Sequence, residues 1–205
     1  MKNELPRNTV VRLSQYRRLL EKYKYLDEPY IFSHDLARML DLKPVNIRHD
    51  LMLLGISGDR RKGYSVNALL EKIGESISCP GHGIVLVGMG RLGLSLIDYI
   101  NNSESCVKIL AAFDVDPAKV QTPCEAVPAY SIFELRDYIT KYNIKTAILT
   151  VPSEETNDIL PILLDAGIKG ILNYTSEQLI VPDDITVRNV DVISFLEEIA
   201  YFVKE

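Results

Sequence analysis

The stretch Ile84-Val85-Leu86-Val87-Gly88-Met89-Gly90-Arg91-Leu92-Gly93 decides the fold. Four consecutive apolar residues running into a glycine are the pattern of a strand buried on both faces of a parallel sheet. The six residues that follow fit G-x-G-x-x-G, and 94–100 continues with helical periodicity. Between a buried strand and a helix each glycine has a purpose. Gly88 permits the tight turn, Gly90 lets backbone approach a pyrophosphate, and Gly93 lets the helix pack against the strand. The helix N-terminus then offers N–H groups and a partial positive charge to phosphate. The glycines alone are weak evidence. However, Phe113-Asp114 closes the next apolar run about 20 residues further on, where an acidic side chain accepts from adenosine ribose hydroxyls.

Beyond that point helix and strand patterns alternate: strand 109–113, helix 131–142 with Ser131 and Glu134 at capping-box spacing, strand 146–151, helix 153–166, strand 170–173. Pro161 is expected to kink or split the helix that contains it. This alternation predicts an α/β doubly wound parallel sheet over 84–190, a Rossmann domain. Its candidate cofactor residues are Gly88, Met89, Gly90, Arg91, Leu92, Gly93 and Asp114. Thr150, Val151 and Pro152, at a strand end beside the expected crevice, and Tyr99, at the end of the helix opened by the glycines, complete the set. Thr150 to Ser153 also reads as a plain helix cap. A carboxylate at 114 repels the 2′-phosphate of NADP, and no adjacent arginine compensates. The cofactor expected is therefore NADH or NAD, and the 3′-phosphate of CoA is disfavoured.

The segment 1–78 carries 14 Lys and Arg against 10 Asp and Glu, whereas the remainder carries 9 against 18. A basic segment on an acidic body points to a polyanion met by the former. Val10, Leu13, Tyr16, Leu20 and Tyr23 recur at helical spacing, in a helix ending before Asp27-Glu28-Pro29. A second helix begins at Ser33, read as its N-cap, and directs Leu36, Met39 and Leu40 inward. After a turn, Pro44 opens a third over 45–54, with Ile47, Leu51 and Leu54 on one side and Asn46, Arg48 and His49 elsewhere; Gly55 ends it. This is a helix-turn-helix over about 16–54 with its third helix in the recognition position. Glycines then bracket Arg60-Arg61-Lys62, giving a wing over about 55–66 with a basic tip. Asn46, Arg48, His49, Arg60, Arg61 and Lys62 are the candidate DNA contacts. Residues 79–83 form the linker.

At the other end a strand over 185–190 leads to a helix over 191–203 whose apolar residues occupy most of its circumference. Such a helix must be buried on several sides, and at a chain end a second subunit can bury it. The expectation is a homodimer, with 191–205 as the dimerisation helix.

Composition narrows the choices. No apolar run approaches the roughly 20 residues of a membrane helix, and the first 12 residues do not resemble a signal peptide. A cytoplasmic protein is expected. Cys79, Cys106 and Cys124 are odd in number and without C-x-x-C spacing, which indicates structural thiols, not disulfides or zinc. The only histidines are His34, His49 and His82, and no separate substrate domain supplies an acid or base, so the chain reads as a sensor and not an enzyme. An NAD-dependent oxidoreductase and a CoA-binding module are the rival readings.

Taken together, Arg12-Leu13-Ser14-Gln15-Tyr16-Arg17-Arg18-Leu19-Leu20, Val45-Asn46-Ile47-Arg48-His49-Asp50-Leu51, Gly63-Tyr64-Ser65-Val66, the glycine stretch and Phe113-Asp114-Val115-Asp116-Pro117 make the chain resemble the Rex family of redox-sensing transcriptional repressors along nearly its whole length. The resemblance implies a winged helix joined to a Rossmann domain and a homodimer that exchanges its C-terminal helices. It also implies release of double-stranded, palindromic operator DNA when NADH binds. It assigns Arg48 and Arg60 to DNA, Gly88, Gly90, Gly93 and Asp114 to cofactor, and Arg18, Tyr99 and the partner's Asp191 to a network joining the two. His49, where the family commonly has Lys or Arg, and Arg61, in a wing usually richer in glycine, depart from the pattern.

Overall fold

A computed structural model describes residues 5–23, 30–78, 82–103, 106–121 and 127–203. The chain divides into two compact units, Met1–Ser78 and Cys79–Glu205.

The N-terminal unit runs α1 (Arg7–Tyr23), β1 (Tyr30–Ile31), α2 (Ser33–Met39), α3 (Pro44–Leu53), β2 (Tyr64–Ser65) and α4 (Val66–Ser76). Leu13, Tyr16 and Leu20 of α1, Ile47 and Leu51 of α3, and Leu69 and Ile73 of α4 form one buried cluster. Each of the leucine and isoleucine side chains among them contributes about 1.5–3 kcal/mol by leaving water. Gly55, at φ +70°, turns the chain out of α3 while Ile56 N–H returns to the carbonyl of Leu51. That is a left-handed helix terminus, which favours glycine.

Several local expectations are corrected here. Phe32, not Ser33, is the N-cap of α2, and Ser33 is its first helical residue. Met39 is 36% exposed and Val10 lies on the solvent side of α1. The wing is closed by an antiparallel pair in which β1, a strand lying before α2, meets β2. Asp27, Glu28 and Pro29 lie outside the described residues.

The C-terminal unit runs β3 (His82–Val87), α5 (Arg91–Asn101), β4 (Val107–Asp114), α6 (Pro117–Gln121), β5 (Ala129–Ser131), a 3-10 turn (Ile132–Glu134), α7 (Leu135–Tyr142), β6 (Thr146–Leu149), α8 (Ser153–Asp165), β7 (Gly170–Asn173), β8 (Thr186–Asn189) and α9 (Val192–Phe202). The sheet order is β5-β4-β3-β6-β7-β8, with every neighbouring pair parallel. Counted within the unit this is 3-2-1-4-5-6, the doubly wound order of dinucleotide-binding folds. Alternate residues of β3 serve opposite faces. Val85 and Val87 join Phe113, Leu135 and Leu163 on one side, and Ile84 and Leu86 join Ile97 and Ile148 on the other.

The capping box is present: Ser131 Oγ accepts from Phe133 N–H and the Glu134 carboxylate from Ser131 N–H, although the first turn is 3-10. His82 and Gly83 belong to β3 and not to a linker; Cys79, Pro80 and Gly81 lie outside the described residues. Helix α8 passes Pro161 unbroken. Pro161 and Asn157, whose carbonyl loses its partner, are both exposed to water, while Ile159 and Leu163 anchor the opposite side in the core. The two short elements α6 and β5 have no counterpart in the sequence reading. Cys106 is disulfide-bonded, against the expectation of free thiols; Cys124 falls outside the described residues. Among the described residues no helix is long and apolar enough to cross a membrane.

Helix α9 contributes to neither of the core clusters of its own unit. Asp191 is its N-cap, and every residue from 191 to 203 is exposed, including Val192, Ile193, Phe195, Leu196, Ile199 and Phe202.

Candidate functional site

Strand order reverses between β3 and β6, and Gly88 and Thr150 follow the carboxyl ends of these strands. In doubly wound sheets ligands bind at this position. Gly88 has φ +104°, and a Cβ there would lie 2.8 Å from the backbone of Thr150. A Cβ on Gly93 would lie within van der Waals overlap of the Gly88 carbonyl oxygen. Both positions are closed by protein. Around Gly90, the N-cap of α5, a Cβ would meet nothing within 4 Å. Two glycines therefore build the turn and the middle one leaves a vacant approach to the helix N-terminus, which is the cradle a pyrophosphate needs. Arg91 and Leu92 are exposed beside it, and Met89 is buried.

Thr150 supports the glycine turn. Its hydroxyl donates to the carbonyls of Gly88 (2.8 Å) and Val87 (3.2 Å), bracing the turn from behind. Pro152 caps α8 without a side-chain hydrogen bond, and Val151 packs under Gly88.

Asp114, at the carboxyl end of β4, is 5% exposed. Its Oδ2 accepts from Met89 N–H at 2.7 Å and its Oδ1 from Asp116 N–H at 2.9 Å. The Lys119 ammonium donates to both oxygens, at 3.1 and 2.9 Å. Burial alone would raise the carboxyl's pKa; the Asp116 N–H, the Lys119 ammonium and the Met89 N–H outweigh it and hold the group below the usual carboxylate range. The sequence reading anticipated Asp114 but not Lys119. A cation five residues past a strand-end aspartate, on a one-turn helix, is the signal that would have found it. A mainly apolar cleft of about 410 Å³ begins at Val115, the next residue, and is lined further by Ile132, Phe133, Ile159 and Ile162, with the charged Arg136, Glu155 and Asp158 also on its wall.

Of the expected network, Tyr99 is 73% exposed on α5, near Tyr174, and Asp191 is exposed at the start of α9, where it accepts from the N–H and hydroxyl of Ser194. No hydrogen bond joins Tyr99 to Asp191 among the described residues of this unit. Arg18 is exposed on α1.

In the N-terminal unit, Arg48 and His49 are exposed on α3, Asn46 is half-buried, and Arg48 reaches Ser33 Oγ at 3.5 Å. At the wing tip Asp59 pairs with Gly63 through both backbone groups, and its carboxylate accepts from the N–H of Arg61 and Lys62. This fixes the backbone while the side chains of Arg60, Arg61 and Lys62 stay exposed; the Lys62 ammonium lies 5.6 Å from the Tyr30 ring. None of these four cations forms an ion pair among the described residues.

The recognition helix is secured by a residue to which the sequence reading gave no role. Asp50 is fully buried, accepting from Arg12 through two bonds of 2.7 Å, from Tyr16 OH at 2.8 Å and from Thr9 Oγ at 3.0 Å. Burial pushes its carboxyl up, but the bonds from Arg12, Tyr16 and Thr9 prevail and hold it down. Burial and Asp50 together push the Tyr16 phenol up. The signal was available: Asp50 follows Ile47 by three residues on the inward side of α3, and Thr9, Arg12 and Tyr16 share one face of α1.

A helix-turn-helix with a basic wing, joined in one chain to a doubly wound sheet carrying an open glycine turn, defines a DNA-binding regulator with a dinucleotide-type domain. The chain matches the family described as "Putative DNA-binding protein N-terminus" over residues 4–51 and the one described as "CoA binding domain" over 82–177. It is 36% identical over 201 residues to the redox-sensing transcriptional repressor Rex of Leuconostoc citreum, covering 98% of this chain and 93% of that one. To the Rex of Listeria monocytogenes it is 32% identical over 205 residues, covering 98% and 94%. The chain belongs to the Rex family of redox-sensing transcriptional repressors, a family of regulators and not of enzymes. Among solved structures it resembles RSP, a Rex-family repressor, in complex with beta-NAD+ and operator DNA, at 26% identity and a TM-score of 0.87 over 98% of this chain and 93% of that one. The complex of RSP with beta-NADH gives 26% and 0.85 over 97% and 94%.

Proposed function

We propose that the chain is a homodimeric repressor that holds a palindromic double-stranded operator through its N-terminal units, binds NADH or NAD in its Rossmann units, and releases the operator when NADH binds. The observation that carries the reading is the open position at Gly90 between two glycines closed by protein. It is supported by the whole-chain likeness to a repressor seen with operator DNA and, separately, with NADH.

In this reading Gly90 backbone, Arg91, Leu92 and the N-terminus of α5 hold the pyrophosphate. Asp114 holds the adenosine ribose, and Val115 and the cleft beyond it receive the adenine ring. Gly88, Met89, Gly93, Thr150, Val151 and Pro152 shape the turn and its floor. Asn46, Arg48 and His49 face the major groove, Arg60, Arg61 and Lys62 the backbone or minor groove beside it. Helix α9 is covered by the partner subunit, bringing the partner's Asp191 towards Arg18 and Tyr99. The site of action is the cytoplasm, where operator and dinucleotide pool meet.

NADH and NAD+ differ by one charge on the nicotinamide ring, so an apolar pocket favours the neutral reduced form. If NADH binds better to the arrangement that does not fit DNA, linkage requires that DNA weaken NADH binding by the same factor. The test is a gel shift on a palindromic operator at fixed salt, since affinity falls steeply with ionic strength. NADH is expected to release the DNA and NAD+ to leave it bound. Retention of DNA at saturating NADH would overturn the reading, and turnover of a substrate would favour the oxidoreductase.

A further inference from the structure

An ionised carboxylate offers about four acceptor positions. At Asp114 the protein fills all of them: Met89 and Asp116 N–H take one each, and Lys119 donates to both oxygens. The two backbone donors are fixed by the glycine turn and the start of α6. Lys119 is different, with a flexible side chain 43% exposed that reaches in from a short helix. Ribose hydroxyls therefore reach Asp114 only by taking positions that the ammonium holds. The displaced ammonium stays on the same tether, beside the edge of the ribose.

We propose that Lys119 is a specificity-determining residue at the adenosine end of the site, competing with the ribose diol of NADH for Asp114 while offsetting that carboxylate's repulsion of a 2′-phosphate. The inference rests on the dinucleotide reading above and adds what that reading lacked, a cation beside Asp114. A lone carboxylate rejects the 2′-phosphate by like-charge repulsion and by leaving its own acceptors unmatched. With an ammonium in contact, the local charge is close to neutral and a cation is at hand for the phosphate. The wild-type protein thus discriminates between NADH and NADPH less than Asp114 alone would make it.

Opposite movements of the two affinities follow. In Lys119→Met the free protein loses two hydrogen bonds to Asp114, so NADH, whose hydroxyls replace them, binds tighter. NADPH loses its counter-charge and binds weaker. Each change is expected to be about threefold to tenfold, the range of a partly exposed charge contact (~0.7–1.4 kcal/mol by the affinity relation). Lys119→Arg retains a cation and should keep NADPH binding near that of the wild type.

The experiment is calorimetric titration of the full-length dimer with NADH and with NADPH, for wild type, Lys119→Met and Lys119→Arg, at low and physiological salt, with a thermal melt of each protein. Tighter NADH and weaker NADPH in Lys119→Met alone, with a shallower salt dependence for NADPH, is the expected result. Parallel weakening of both dinucleotides in Lys119→Met overturns the inference and makes Lys119 a brace for α6. Unchanged affinities overturn it too. If wild type binds neither dinucleotide, the dinucleotide reading itself falls, and the inference with it.

Discussion

Asp50 in the N-terminal unit and Asp114 in the C-terminal unit are both buried carboxylates, each with a cation and two neutral donors, and both are held below the usual carboxylate range. The difference lies in how the cation can leave. Arg12 presents a planar fork that bonds both oxygens of Asp50, and Tyr16 beside it is itself in the core. Lys119 is a single ammonium on an exposed stem. Guanidinium and ammonium are not interchangeable at such sites: the fork locks a geometry, the point charge is released more easily. The N-terminal unit seals its ionic contact in the core and leaves the exposed cations of α3 and the wing without ion pairs among the described residues, whereas the C-terminal unit covers Asp114 with a cation on an exposed stem.

The largest effect is expected on breaking the sealed contact. Asp50→Ala leaves Arg12 partly buried without its counter-charge and should cost about 3–5 kcal/mol. A melt of the N-terminal unit should drop accordingly and operator binding should vanish, while calorimetry finds NADH binding intact. A neutral outcome would mean that the Asp50–Arg12 contact contributes nothing net to stability. Acid titration tests the same point. Because the folded-state value lies below the unfolded one of about 3.9, the contribution of Asp50 is complete above that pH and is lost as pH falls through the folded value. Denaturation of wild type should therefore steepen below about pH 4, and Asp50→Asn should flatten it.

The masked carboxylate should behave otherwise. Asp114→Ala is expected to weaken NADH binding by roughly tenfold or more, the weight of hydrogen bonds to a charged group, and to narrow the margin over NADPH. The melting temperature should move far less than in Asp50→Ala. An unaltered preference between the two dinucleotides in calorimetry would remove Asp114 from the site. At the wing, Arg60→Ala should lower operator affinity several-fold. Its salt slope should fall by about 0.9 if the contact is to one phosphate, with NADH affinity unchanged. A gel shift that is the same as wild type at every salt concentration would leave the wing a surface loop.

The smallest effect concerns communication between the units. Asp191 caps α9 through Ser194, so Asp191→Ala removes a cap together with a charge, while Asp191→Asn keeps a capping side chain and removes only the charge. If the charge couples the sites, Asp191→Asn should shift the NADH concentration that half-releases operator by about fivefold, the low end of allosteric coupling, with both separate affinities unchanged. If only the alanine variant changes behaviour, the role of Asp191 ends at the helix cap.

Sequence pattern carried the architecture wherever it was written in periodicity or in glycine. The run 84–93 placed the switch point of the sheet, and the apolar circumference of 191–203 foretold a helix its own unit does not cover. Pattern failed where the deciding partner was distant or the element short. Two- and three-residue strands such as β1 and β5 contain too few residues to show a period of two. Asp50 has no role in the sequence analysis, since its inward position on α3 and the polar face of α1 are each visible in the pattern but their pairing across 38 residues is not. The bonds of Thr150 to the carbonyls of Val87 and Gly88 were not legible, because a hydroxyl at a strand end serves equally a ligand, a cap or a carbonyl behind it. Met39 shows the reverse error, in which residue type suggested burial and position on the solvent side decided otherwise; Pro161, expected to kink or split its helix, does not split it.

Helix α9 carries a further consequence. If a second copy of the chain covers the exposed Val192, Ile193, Phe195, Leu196, Ile199 and Phe202, as proposed, that copy is in effect a ligand for the folded form. Mass action then ties thermal stability to protomer concentration, and the melting temperature should rise as the protein is concentrated. The number of copies in the cell thereby becomes a control variable of its own: below the dissociation midpoint, repression would lapse whatever the redox state.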